Sequence, residues 1–117
     1  MTAVGEVAWV DDEELIDAVT ALSGGGPAYV FLLAESLIEA AQKEGLTREQ
    51  AHVLSYQTIL GAARLLGHDA AGPKELRERV TSPGGTTQAA IAHLEAHKWR
   101  EIFVDAVHRA RQRSAEL

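Results

Sequence analysis

No cysteine occurs among the 117 residues, which excludes a disulfide framework and a thiolate metal centre. Aromatic residues are scarce at 5%, and the 46% hydrophobic fraction is aliphatic and alanine-rich, a balance that favours helices. Positive charge is also short. The net charge is −6, and the one basic cluster, Arg109, Arg111 and Arg113, falls near the C-terminal end of a helix, where cations complement the dipole. Binding to a phosphate backbone needs a concentrated basic face, so a nucleic-acid partner is not expected. Long apolar runs are missing as well: the strongest, Ala28 to Leu33, is too short to span a bilayer. The first ten residues carry neither a signal-peptide pattern nor an anchor. By length the chain is one domain with a modest core, expected in the cytoplasm and without a membrane role.

What is present is a succession of helical signals. Val4 to Val10 reads as a short strand without a partner in its own chain. Asp11 and Asp12 open a helix whose apolar face is Leu15, Ile16, Ala18, Val19 and Leu22, and Ser23-Gly24-Gly25-Gly26 is expected to break it. Pro27 starts a second helix that stops at Gly45. Its apolar residues include Val30, Phe31, Leu32, Leu33, Leu37 and Ile38, more than the single stripe of a surface helix, which predicts burial on more than one side. Thr47 and Gln50 form a capping box for a third helix over 48–66. Pro73 opens a short helix through Val80, and further helices are expected over 86–96 and 99–114. The fold class is an all-α bundle preceded by a stray N-terminal strand.

The most informative segment is Val80-Thr81-Ser82-Pro83-Gly84-Gly85-Thr86-Thr87. Ser82 suits a helix N-cap and Pro83 a first helical position. Gly84 and Gly85 remove side chains so that backbone amides can be approached, and Thr86 and Thr87 add hydroxyls. A bare helix N-terminus of this kind is a natural seat for a carboxylate or phosphate.

Other patterns carry less. Gly24-Gly25-Gly26 lies between helices and lacks both the strand–turn–helix setting of a dinucleotide fingerprint and the Gly-Lys-Ser/Thr of a P-loop, so it is expected to serve a sharp helix–helix junction. His93 and His97 have metal-ligand spacing but no third ligand in sequence, and solvated histidines are the simpler reading. Glu35 and Glu39 fit either a partner-facing pair or a solvated strip. No nucleophile–base pair emerges from spacing, and no metal and no resident cofactor are expected.

These residues resemble a known family. Trp9-Val10-Asp11-Asp12-Glu13, Asp17 through Gly24, Gly26-Pro27-Ala28-Tyr29, Leu60-Gly61-Ala62-Ala63 and the Val80–Thr87 segment followed by Ile91 and Leu94-Glu95 are similar to the C-terminal domain of the pyrroline-5-carboxylate reductases, enzymes of proline biosynthesis. The resemblance runs from Gly5 to Leu117. It implies a helical domain over 11–117 that interlocks with a second subunit as a homodimer or higher oligomer, with 1–10 a remnant of the last Rossmann strand or a linker. It implies that Ser82, Gly84, Gly85, Thr86 and Thr87 bind the carboxylate of pyrroline-5-carboxylate or proline. Thr87 is implied as the catalytic contact near the ring nitrogen, helping to polarise the C=N bond. NADPH or NADH serves the complete enzyme, bound by a Rossmann domain that has no counterpart in this sequence. The chain is therefore expected to be inactive alone. The alternative is a non-catalytic scaffold or regulator that pairs with a full-length reductase subunit or a separate Rossmann chain. Gly25 departs from the family, which commonly carries serine there.

Overall fold

The computed structural model describes residues 15–117, all helix, turn and loop, with no strand among them. The expected strand at Val4–Val10, the remnant at 1–10 and the helix start at Asp11 and Asp12 lie outside the described residues. The elements are α1 (Ile16–Val19), a π-helical turn (Thr20–Gly24), α2 (Gly26–Lys43), α3 (Arg48–His68), α4 (Pro73–Arg79), α5 (Thr86–Ala96) and α6 (Trp99–Glu116).

The described residues divide into two compact units, 15–31 with Lys98–Leu117, and Leu32–His97. In the first, α1 and the π turn pack on α6. Ser114 Oγ donates to Asp17 Oδ1 at 2.7 Å, tying the two ends of that packing. Tyr29 meets Phe103 edge-on at 5.6 Å, and Phe103 in turn meets Trp99 at 5.9 Å. Such pairs add to the plain burial of the rings.

The glycine stretch does not break the helix, contrary to the sequence expectation. The backbone instead widens by one residue: Gly25 N–H reaches the Thr20 carbonyl, a five-residue step. In a regular α-helix Gly25 would pair with the Ala21 carbonyl. That carbonyl receives the Tyr29 hydroxyl at 2.6 Å instead. Gly25 permits the approach, since a Cβ there would stand 2.8 Å from Tyr29 Oη. Helical structure is in consequence nearly continuous from Ile16 to Lys43, long and apolar enough by length and composition to cross a membrane, although it carries Glu35, Glu39 and Lys43. The apolar run is longer than Ala28–Leu33 suggests because the π turn joins two segments that the glycines divide in sequence.

In the second unit α2 ends in a paired C-terminal motif, with Gly45 N–H on the Gln42 carbonyl at 3.0 Å and Leu46 N–H on that of Ala41 at 3.1 Å. The Thr47–Gln50 capping box then forms in both directions, at 3.0 and 3.1 Å. Both are purely local devices, which is why the sequence displays them. α4 docks against α3. Asp69 steers this docking by accepting from Ala71 N–H at 2.8 Å and from Arg79 Nη1 at 2.9 Å.

The Ala71 amide and then the Arg79 guanidinium hold the Asp69 carboxyl below its ordinary value of 3.8. A depressed folded-state pKa means stabilisation present above the unfolded value and removed as pH falls through the folded one. Hydrogen-exchange protection along α4, taken relative to the intrinsic exchange rate at each pH, is therefore expected to fall on acidification below about pH 4. In Asp69→Asn that acid dependence should be flat; an unchanged profile would separate Asp69 from the docking of α4.

A core is nearly missing among the described residues of the single chain. Among the described residues the buried apolar side chains are Ala21 and Ala51, with Ser55 the buried polar one. No α2 residue is buried. Val30, Phe31, Leu32 and Leu33 are all exposed, Phe31 and Leu32 by about two thirds (66% and 64%). Four consecutive residues point around the whole helix circumference, so this stretch of α2 is apolar and exposed on every side, while Tyr29, Leu37 and Ile38 are half-buried. Burial on more than one side, as its composition predicts, needs surface that the described residues do not supply.

Candidate functional site

The segment between α4 and α5 is closed by its own hydrogen bonds. Thr81 Oγ1 donates to the Arg77 carbonyl at 2.6 Å and Thr81 N–H reaches Glu78, which ends α4. Gly85 N–H then donates to the Ser82 carbonyl at 3.0 Å. This bond closes a β-turn over Ser82-Pro83-Gly84-Gly85. Pro83 sits at its second position and Gly84, with φ of +73°, at its third, the arrangement of a type II turn. A side chain at Gly84 would be strained in that conformation.

This geometry corrects one expectation. Ser82 is not the N-cap of α5 and Pro83 is not its first helical residue, because the turn spends both before the helix begins. Gly85 is the cap, and α5 starts at Thr86. A glycine cap has no side chain to give, and no side chain caps this helix. The amides of Thr86, Thr87 and Gln88 occupy the first turn, where no intrahelical acceptor exists.

The amides of the two glycines are engaged inside the loop. Gly85 uses the Ser82 carbonyl, and Gly84 N–H donates to Gln88 Oε1 at 2.5 Å. Gln88 was not among the sequence candidates. Its signal was its position three residues past the cap, where glutamine and glutamate turn back toward the chain before the helix. Ser82, Gly84, Thr86 and Thr87 are exposed and Gly85 is half-buried. The open face of the turn therefore presents exposed amides and two threonine hydroxyls at the positive end of α5, a place that favours a carboxylate.

The other candidates lie apart from this turn. His97 is the C-cap of α5, its Nδ1 2.9 Å from the His93 carbonyl, with the two rings 4.3 Å apart. Among the described residues no group of three metal-ligating side chains forms. Glu35 and Glu39 line an open groove with Ile38 and Gln42 of α2 and His52 and Tyr56 of α3. Glu39 pairs with Lys43 at 3.4 Å on the exposed helix surface.

Comparison with known proteins places this arrangement. The sequence profile described as pyrroline-5-carboxylate reductase dimerisation matches residues 13–117. The chain belongs to this family. The pyrroline-5-carboxylate reductase of Pseudomonas aeruginosa is 51% identical over 117 residues, covering 100% of this chain and 43% of that protein. A solved structure of a pyrroline-5-carboxylate reductase from Coxiella burnetii matches with a TM-score of 0.92 at 50% identity, over 97% of this chain and 42% of that one. The Plasmodium falciparum pyrroline carboxylate reductase, solved with NADP bound, matches with a TM-score of 0.84 at 38% identity, over 88% of this chain and 39% of that one. The chain thus spans less than half the length of these relatives. Membership of the pyrroline-5-carboxylate reductase dimerisation family implies pairing between subunits, the role that an uncovered α2 calls for.

Proposed function

We propose that the chain is the dimerisation and substrate-carboxylate-binding domain of a pyrroline-5-carboxylate reductase, pairing with a second copy of itself. In complete form such an enzyme reduces 1-pyrroline-5-carboxylate to proline with NADPH or NADH. The observation that carries the reading is the uncapped start of α5 in the Val80–Thr87 segment, inside a match that covers residues 13–117. Ser82, Gly84 and Gly85 shape the turn. Thr86 and Thr87 offer amides and hydroxyls to the carboxylate, and the Thr87 hydroxyl is the group assigned to the ring nitrogen.

The described residues offer no strand–glycine turn–helix seat for a dinucleotide. A hydride donor must therefore be held by another domain or chain, and positioning the donor is a main contribution of the protein in this chemistry. The chain alone is expected to be catalytically silent. The apolar run through α2 is assigned to a partner subunit rather than a bilayer, because Glu35, Glu39 and Lys43 interrupt it and the family match is to a dimerisation domain.

Titration with proline, followed by amide chemical shifts, tests the site. Thr86 and Thr87 should move with a weak affinity near ~1 mM, since the face opposite the turn is open to water. Thr87→Val keeps the amide and removes the hydroxyl, so affinity should fall about fivefold, the worth of one ordinary hydrogen bond. His93→Ala, at the far end of α5, should leave the response unchanged. Silence of the Thr86 and Thr87 amides would overturn the carboxylate assignment, and NADPH consumption at an enzymatic rate would overturn the claim of catalytic incompleteness.

A further inference from the structure

We propose that Gln88 is a positioning residue for the carboxylate site: its side-chain carbonyl holds the Gly84 amide and so keeps the start of α5 shaped for an outside acceptor. The inference rests on the carboxylate reading given above. A reciprocal capping box has two halves, the cap side chain on the third helical amide and the third side chain returning to the chain before the helix. At α5 only the return half is built. Gln88 occupies the third helical position and reaches back to Gly84 N–H at 2.5 Å, one residue before the cap. The outgoing half is missing because the cap, Gly85, has no side chain.

The two halves are linked through the turn. Gly84 has φ of +73°, and Gly85 N–H closes on the Ser82 carbonyl. With Gln88 fixed on Gly84, both glycine amides are spent internally, and the turn is braced against the first turn of the helix. What is left outward is the set of amides that a cap oxygen would normally satisfy. A ligand carboxylate takes the place of that oxygen and completes the box. Gln88 therefore acts through Gly84 and contributes no side-chain contact of its own to the ligand.

The test compares wild type, Gln88→Met and Gln88→Glu in the full chain, with proline as probe. Methionine keeps length and helix propensity and removes the acceptor. Gln88→Met should leave the unfolding midpoint and oligomeric state unchanged, raise Gly84 amide exchange about tenfold, and weaken proline binding about fivefold. Gln88→Glu keeps the acceptor and should restore Gly84 protection. A merely structural role would move the unfolding midpoint and leave proline affinity alone. Proline affinity in Gln88→Met equal to wild type, or Gly84 exchange unmoved, overturns the proposal while the carboxylate reading stands. Absence of any proline response in wild type overturns both.

Discussion

A Phe31→Asp chain is expected to lose its oligomeric state and its helical fold together. Phe31 is 66% exposed in the single chain and lies in α2, where no residue is buried. Covering a phenylalanine is worth about 1.5–3 kcal/mol, and in a symmetric pair the change is made twice. An aspartate forced into the same place adds an unpaired buried charge, which costs several kcal/mol more. Against a typical stability of about 5–15 kcal/mol, two such losses suffice to unfold the pair. The loss of fold follows because packing between elements among the described residues is limited to α1 and the π turn on α6, Tyr29 of α2 on Phe103 of α6, and α3 on α4. Without a partner the remaining helical surface has nothing to bury. Far-UV circular dichroism and sedimentation of Phe31→Asp should both collapse, whereas Glu39→Ala, which removes only an exposed pair with Lys43, should match wild type. A Phe31→Asp protein that stays helical and paired would remove α2 from the interface.

The second large effect is expected at Gly84. Valine there must hold φ near +73°, a region closed to β-branched side chains. The local strain is about 1–3 kcal/mol, more than one turn hydrogen bond returns. The turn should therefore reopen, releasing Gly85 from Ser82 and Gly84 from Gln88. Proline-induced shifts at Thr86 and Thr87 should vanish in Gly84→Val, while pairing and helix content persist, since the turn is remote in sequence from α2. A retained proline response would show that the turn does not shape the site.

The parts of the fold legible from sequence are those set by neighbours along the chain. The Thr47–Gln50 box, the stop at Gly45 and the start at Pro73 each depend on residues within four positions. The π turn at Thr20–Gly24 was hidden because its decisive contact, Tyr29 hydroxyl to Ala21 carbonyl, joins residues eight apart across three glycines. Those glycines look like a break, yet one of them, Gly25, supplies room for a hydroxyl. Ser82-Pro83 carries a similar ambiguity. The pair suits a helix start and a β-turn equally, and only the positive φ of Gly84 selects the turn. The site was legible as a place, through its glycines and threonines. Its inner wiring through Gln88 was not, because capping glutamines are sought opposite a serine or threonine cap and here the cap is glycine.

The central claim is that this domain reaches its fold only by pairing, and dilution tests it most directly. Sedimentation velocity and far-UV circular dichroism should be followed together from high to low micromolar concentration. Stability coupled to association depends on protomer concentration, so helicity and dimer should disappear in one concentration-dependent transition, with no folded monomer between. A well-folded monomer whose helicity is independent of concentration would contradict the claim.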